Sequence, residues 1–171
     1  LRDKIGYIPQ RGILFTGTVE SNLRFADEQV AAETLLESLD IAQASNFVFA
    51  NPEGIQTEIS QGGSNVSGGQ KQRLSIARAL VKQPPIFIFD DSFSALDFKT
   101  DAALRKALKE KTGHSTVLMV TKRVATAIGA EQIIVMDNGK IVGKGTHHEL
   151  MKTNKTYQEI ATSQLSEEEL V

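Results

Sequence analysis

An apolar stretch that ends in carboxylates is the feature that most constrains the fold of this chain. Residues 86–89 read Ile-Phe-Ile-Phe, Asp90 and Asp91 follow directly, and Asp97 closes a short turn. Four apolar, β-prone residues are too few for a core helix and are typical of a strand buried on both faces of a parallel sheet. The sequence therefore predicts a parallel strand whose carboxyl end presents acidic side chains.

Strand-like and helix-like patterns alternate on both sides of this stretch. Apolar spacing and turn residues predict strands at 4–9 and 116–121, helices at 16–25, 28–40, 41–51, 70–83 and 98–113, and a hairpin at 132–145. Segment 116–121 is expected to be a second buried strand. Asn138-Gly139 supplies the positive φ angles of a type I′ turn, and Thr146 with Glu149 forms a capping box. This alternation predicts an α/β domain with a mainly parallel sheet.

Composition narrows the class of protein further. The chain has 171 residues, of which 40% are hydrophobic and 23% charged, and its formal net charge is −2. This is the composition of one globular domain, and it is not basic enough to indicate nucleic-acid binding from charge. Cysteine is absent, which excludes a disulfide framework and a thiolate metal site. No apolar stretch is long enough to span a bilayer.

The carboxylates and a glycine-rich loop are the candidate chemistry. Asp90, at the end of a buried strand, is suited to Mg²⁺, which prefers oxygen ligands, and Asp91 could orient or deprotonate a water that attacks a phosphate. Ser67-Gly68-Gly69 precedes a long helix, where backbone N–H groups and the helix dipole favour an anion. The alternative for each is structural: the aspartates solvate a strand end, and the serine is an ordinary N-cap.

Several motifs in one order then carry a resemblance to a known family. VSGGQKQRLSIARAL followed by IFIFDDSFSALD resembles the signature motif, Walker B strand and D-loop of ABC-transporter ATPase domains. YIPQRGILFTGTVESNL resembles the Q-loop region of exporter-type subunits, and TEISQGGSNVSGGQ the segment before the signature. TVLMVTKRVATAIGAEQIIVMDNGKIVGKGTHHELM resembles the switch strand and C-terminal hairpin. Any one motif is weak, but their order makes the resemblance specific.

The resemblance implies an α/β, P-loop NTPase-like fold with a mainly parallel sheet core and a helical signature subdomain. It implies one domain over residues 1–160, with the Q-loop first, the helical subdomain at 16–83, the Walker B to switch region at 86–122 and the hairpin at 132–145. An acidic C-terminal tail is expected at 161–171.

The family's phosphate-binding loop, G-x-x-x-x-G-K-[ST], does not occur in the sequence. In the family this Walker A loop precedes the Q-loop. We therefore expect the chain to be the C-terminal two-thirds of an ATPase domain, cut from a longer protein. By itself it is expected to be inactive and to bind ATP weakly, because it lacks a phosphate cradle. A natural protein without such a loop is the alternative.

Residue roles follow from the resemblance, with ATP and Mg²⁺ as cofactors. Gln10 would reach the Mg²⁺ and the attacking water, and Asp90 would bind the Mg²⁺. The residues expected to contact ATP, or the subunit that holds it, are Ser67, Gly68, Gly69, Gln70 and Asp97. The first three would meet the γ-phosphate of a nucleotide held by the opposite subunit, because these domains sandwich two nucleotides head to tail.

Two positions depart from the family pattern. The usual catalytic Glu after the Walker B Asp is Asp91 here, and the usual switch His is Lys122. Asp is one methylene shorter than Glu, and Lys lacks the donor–acceptor geometry of the histidine imidazole. The alternative for Lys122 is a solvated surface lysine. The pattern resembles the degenerate half of a heterodimeric exporter, with a weakened site of its own. His114, His147 and His148 lie off the motifs and are expected at the surface.

The partners implied are a transmembrane domain in the same full-length chain and a second, different ABC ATPase subunit, at the cytoplasmic face of the cell membrane. No nucleic-acid partner is expected. Two other classes stay open: a soluble ABC ATPase that acts on nucleic acid or ribosomes, and a non-hydrolysing interaction module. The exporter-like segments and the modest charge disfavour the first, and Mg-ATP binding would count against the second.

Overall fold

A parallel sheet lies at the centre of the first part of the chain. The computed structural model describes residues 2–165, and their contacts divide the chain between Val120 and Thr121 into a first and a second unit. Residues 166–171 of the predicted acidic tail lie outside the described residues. No helix of residues 2–165 is both long and apolar enough to cross a bilayer.

The first unit contains five strands and five α-helices within the described residues. Its strands are β1 (Ile5–Ile8), β2 (Gly17–Thr18), β3 (Glu58–Ile59), β4 (Ile86–Asp90) and β5 (Thr116–Val120). Its helices are α1 (Val19–Arg24), α2 (Ala32–Ile41), α3 (Ser45–Phe49), α4 (Gly68–Val81) and α5 (Phe98–Lys111). Short 3₁₀ turns lie at Arg2–Lys4, Gly54–Gln56 and Gln61–Gly63. The α/β class and the parallel sheet predicted from the sequence are confirmed.

The main sheet has the order β1-β4-β5, and both pairings are parallel. Ile8 pairs with Phe89, and Asp90 pairs with Val120. On one face of the sheet, Ile8 and Phe89 are fully buried. Because the strands run in one direction, their carboxyl ends meet at one edge of the sheet, which is where ligands bind in open α/β sheets.

The prediction that residues 116–121 form a buried strand is wrong for the described residues. Strand β5 forms where expected, but Val117, Leu118 and Val120 are 39%, 52% and 51% exposed. Within residues 2–165, β5 pairs with β4 alone and is therefore an edge strand. An apolar pattern reports a preference for burial, whereas burial itself depends on which neighbours cover the strand.

Local capping chemistry sets the helix starts. Thr18 caps α1 and accepts a hydrogen bond from Ser21 N. Helix α4 begins at Gly68, two residues before the predicted start, because Ser67 caps it. Helix α4 packs against α1, α2 and β1, and its buried residues, such as Leu74, join the sheet and the smaller helices in one hydrophobic core.

The second unit is a hairpin followed by helices. Its elements are α6 (Val124–Ala127), β6 (Ile133–Asp137), β7 (Lys140–Gly145), α7 (His147–Thr153) and α8 (Lys155–Thr162). Asn138 and Gly139 have φ values of 46° and 75°, as a type I′ turn requires. The capping box between Thr146 and Glu149 is present. Both predictions are confirmed.

The three histidines differ in their surroundings. His114 and His148 are exposed, as predicted. His147 is only partly exposed, and its Nδ1 lies 2.8 Å from the hydroxyl oxygen of buried Tyr157. The prediction of a surface residue therefore holds only in part for His147, because the ring also packs edge-on against Tyr157. That contact follows from the packing of α7 on α8, which sequence spacing does not show.

Candidate functional site

The carboxyl ends of β1 and β4 bring together predicted site residues that are far apart in sequence. The Nε2 amide of Gln10 donates a hydrogen bond to Oδ2 of Asp91, with an N–O distance of 3.0 Å. Gln10 follows β1 by two residues, and Asp91 directly follows β4. The pairing of Ile8 with Phe89 places these two chain segments side by side. Gln10 and Asp91, both predicted as catalytic residues, thus form one cluster.

The backbone of Asp91 is held firmly. The residue is 8% exposed and has a φ of 46°, in the left-handed region that Asp tolerates better than most residues. Its N–H donates to the carbonyl of Val120 at 2.9 Å, and its own carbonyl accepts from the hydroxyl of Ser94 at 2.7 Å. The reach of the Asp91 carboxylate therefore depends on its side-chain length rather than on backbone movement.

Asp90 has a neighbour that the sequence did not single out. The hydroxyl of Tyr7 donates to Oδ2 of Asp90, with an O–O distance of 2.9 Å. This hydrogen bond to a carboxylate, with smaller contributions from burial and from the Asp90 charge, raises the pKa of Tyr7 above its ordinary value. The phenol therefore stays protonated at neutral pH and keeps donating. The sequence alone offers no signal for this contact, because it depends on the register between β1 and β4.

The start of α4 is closed by a reciprocal cap. Ser67 Oγ accepts from the backbone N–H of Gln70 at 3.2 Å, and Gln70 Oε1 accepts from the N–H of Ser67 at 2.9 Å. This capping box orients the first turn of the 14-residue helix. It also shows what Gln70 does within this chain: its side chain fixes the turn that presents Ser67.

Neither Gly68 nor Gly69 is closely packed within the described residues. An ideal Cβ added at Gly68 would meet no atom within 4 Å, and one at Gly69 would lie 3.5 Å from the carbonyl oxygen of Ala95, an ordinary contact. Neither glycine has a positive φ. The packing of residues 2–165 therefore does not require glycine at either position, and both backbones are accessible to a ligand from outside.

Asp97 caps α5 and lies close to α4. Its Oδ1 accepts from Thr100 N at 2.9 Å and its Oδ2 from the Thr100 hydroxyl at 2.7 Å, and these bonds lower the pKa of Asp97. Burial lowers the pKa of Arg73 on α4, and the charge of Asp97 opposes that shift. Asp97 thus has a structural role in this chain, and its predicted place at a subunit interface stays a prediction.

The loop that carries Gln10 is anchored on α4. Gln72, which is 1% exposed, donates from Nε2 to the carbonyl of Pro9 at 3.0 Å. Arg78, one turn and a half further along α4, donates from a guanidinium nitrogen to the carbonyl of Ile13 at 2.8 Å. The helix that begins at the signature loop therefore also sets the position of Gln10.

Lys122 belongs to the second unit, just before α6. It is exposed, and its backbone carbonyl accepts from Gln164 Nε2 at 2.8 Å. This bond holds the backbone at the predicted switch position. The contact of the Lys122 ammonium group with a phosphate stays a prediction.

The donor set at the strand ends fits Mg²⁺. Asp90 supplies carboxylate oxygens and Gln10 an amide oxygen, which are hard ligands of the kind Mg²⁺ prefers. Residues 2–165 contain no group of three or more His, Cys, Asp or Glu that could hold a metal ion unaided. Mg²⁺ at a nucleotide is usually held by one or two protein oxygens, with water and phosphate supplying its other ligands.

Comparison with known proteins adds independent findings. The family model described as ABC transporter matches residues 1–94. The chain is 49% identical to an uncharacterized ABC transporter ATP-binding protein of Mycobacterium tuberculosis, across 94% of this chain and 28% of that protein. It is 41% identical to the uncharacterized ABC transporter ATP-binding protein YfiB of Bacillus subtilis, across 98% of this chain and 29% of that protein. The chain thus spans well under a third of the length of these relatives.

A solved structure agrees in fold. The structure of a bacterial Atm1-family ABC exporter with ATP bound superposes with a TM-score of 0.92 at 31% sequence identity. The match covers 97% of this chain and 29% of that one. Sequence and structure comparisons therefore point to the same family.

Proposed function

The chain belongs to the ABC transporter family, and from that premise we propose that it is part of the ATPase domain that powers an exporter. The observation that carries the proposal is the cluster at the strand ends, where Gln10 contacts Asp91 and Asp90 lies beside it. Such a cluster offers oxygen ligands and a water-orienting carboxylate at the edge where α/β sheets bind nucleotides. The similarity to an exporter structure with ATP bound supports both the proposed nucleotide site and the proposed role in export.

In this proposal Asp90 and Gln10 hold Mg²⁺ at the nucleotide. When bound, the ion would neutralise charge that develops on the phosphates. Asp91 orients the attacking water from one side, and Gln10 fixes the Asp91 carboxylate through the amide hydrogen bond. Lys122 contacts a phosphate in place of the family's histidine.

The signature residues act on a second nucleotide, held by a partner subunit. Ser67, Gly68 and Gly69 approach its γ-phosphate, and Asp97 lies at the subunit interface. The open space at Gly68 and the ordinary contact at Gly69 support this role, since the packing of residues 2–165 gives no reason for the small size of either residue. Backbone N–H groups at the start of a helix are well suited to a phosphate.

The two sites of the assembly are unequal in this proposal. The firmly held backbone of Asp91 cannot move forward to compensate for the missing methylene, so this site retains ATP and hydrolyses it slowly. The partner is then a different ABC ATPase subunit with a competent site that Ser67 completes. The membrane segment belongs to the same longer protein, and the ATPase domains lie at its cytoplasmic face.

The test uses the full-length protein that contains this chain, purified with its partner subunit. The partner's catalytic Glu is replaced by Gln, and steady-state phosphate release is measured. Loss of nearly all turnover is expected, because the remaining site is the one built around Asp91. The matched control is Asp91→Asn in this chain with an unaltered partner, which should retain most of the turnover. If the altered partner left about half the turnover, the proposal of unequal sites would be wrong.

A further inference from the structure

We propose that Tyr7 is a positioning residue for the magnesium ligand Asp90, and that its hydroxyl sets the orientation in which this carboxylate receives the ion. The inference rests on the proposed function, in which Asp90 binds Mg²⁺. Tyr7 opens the segment that resembles the Q-loop region, but the resemblance assigns it no role. The contact that carries it is the 2.9 Å hydrogen bond from the Tyr7 hydroxyl to Oδ2 of Asp90.

The sheet register explains how Tyr7 reaches Asp90. Tyr7 pairs with Ile88 across the parallel strands, and Asp90 lies two residues further along β4 on the same face. Two residues of a strand span about 6.6 Å. An aromatic ring with a terminal hydroxyl covers that distance, whereas an aliphatic side chain at position 7 would place no polar atom there.

The exposure of Tyr7 indicates that the residue positions Asp90 rather than packs in the core. Gly6 and Ile8 on either side are buried in the sheet, whereas Tyr7 is 55% exposed. Because more than half of the residue's surface is exposed, Tyr7 contributes little to the core of residues 2–165. Phenylalanine would provide the same ring contacts, and the hydroxyl group is what it would lack.

The hydrogen bond acts on one of the two carboxylate oxygens. With Oδ2 engaged by Tyr7, the side chain of Asp90 is restricted in its rotation and Oδ1 is left for the metal or a metal-bound water. A neutral donor achieves this without adding a charge beside the ion. Partners of this kind orient metal ligands, and their removal typically costs about 10- to 100-fold in metal affinity or activity.

The test is Tyr7→Phe in the full-length protein with its partner. The phosphate-loop Lys of the partner is replaced so that only the site containing Asp90 binds nucleotide. Binding of a fluorescent ATP analogue is titrated with Mg²⁺, and turnover is measured separately at saturating Mg²⁺. We expect the Mg²⁺ concentration for half-maximal binding to rise about tenfold. Turnover at saturating Mg²⁺ should change much less, because excess ion restores the bound state.

The matched control is Tyr157→Phe, which removes the hydroxyl of the chain's other tyrosine. That hydroxyl contacts His147 in the second unit. Tyr157→Phe should leave the Mg²⁺ midpoint at its wild-type value, and Tyr7→Phe should leave the melting temperature unchanged.

Three outcomes are decisive. A raised Mg²⁺ midpoint in Tyr7→Phe alone supports the inference. A wild-type midpoint in Tyr7→Phe, in a protein that binds the nucleotide in an Mg²⁺-dependent way, overturns the inference and leaves the proposed function intact. A wild-type protein that shows no Mg²⁺-dependent nucleotide binding overturns the proposed function and this inference with it.

Discussion

Lengthening Asp91 by one methylene should increase the activity of its site. The Asp91 backbone is held by Val120 and Ser94, so Asp91→Glu moves the carboxylate forward by about one C–C bond, or roughly 1.5 Å. A misplacement of about 1 Å in a catalytic group can cost on the order of 10²-fold in rate. We therefore expect Asp91→Glu to raise turnover at this site by up to about 10²-fold, which corresponds to about 2.7 kcal/mol of activation free energy.

Gln10 determines whether the longer side chain of Asp91→Glu increases turnover. Its amide now donates to Asp91 Oδ2 at 3.0 Å, and a glutamate would meet the same amide from a more advanced position. Gln10 lies in an exposed segment after β1, so its side chain can follow the carboxylate. Gln10→Ala combined with Asp91→Glu should lose part of the gain, because the longer glutamate would then lack its orienting partner and the Mg²⁺ would lack the ligand proposed at position 10.

The assay isolates the site in question. In the full-length protein the partner's catalytic Glu is replaced by Gln, so that phosphate release reports the site containing Asp91. Asp91→Asn is the control, since it keeps the shape of the side chain and removes its charge. If Asp91→Glu were no faster than Asp91→Asn, side-chain reach would not be what limits this site, and our explanation of its weakness would be refuted.

Two predictions concern stability. Gly12→Ala would place a Cβ 2.7 Å from the backbone carbonyl oxygen of Lys71 on α4, and such overpacking costs about 1–3 kcal/mol of stability. The control is Gly129→Ala, whose Cβ would meet no atom within 4 Å and which should leave stability unchanged. Equal melting temperatures for the two variants in calorimetry would contradict the close packing at Gly12. Asp97→Ala should lower the melting temperature at pH 7, where the charged cap is present. Hydrogen bonds from Thr100 lower the pKa of Asp97 in the folded state. The stabilisation by the charged cap is therefore fully present at pH values above the unfolded-state pKa of about 4, and it is lost as the pH falls through the folded-state pKa. Melting curves from pH 7 to pH 3 should therefore converge for wild type and variant, and a constant difference would argue against the charge as its source.

The elements that the sequence predicts well are those with local causes. Strand β4 follows from four apolar residues, α4 from its cap at Ser67, and the hairpin from Asn138-Gly139. In each case the residues that determine the structure are within a few positions of one another. The family resemblance then supplied the order of the motifs and so the grouping of Gln10 with Asp91, which are 81 residues apart.

The details of the site depend on the register between strands, and local patterns do not encode register. Tyr7 is an ordinary strand residue until the pairing with Ile88 shows that its hydroxyl reaches the next residue of that face, Asp90. The same limit explains β5, whose apolar side chains predict burial although only one of its edges is paired within the described residues. A pattern identifies which residues prefer the core or a ligand, and the neighbouring strand decides which atoms they meet. A residue such as Tyr7 can therefore lie within a recognised motif while its positioning role depends on a contact that only the strand pairing shows.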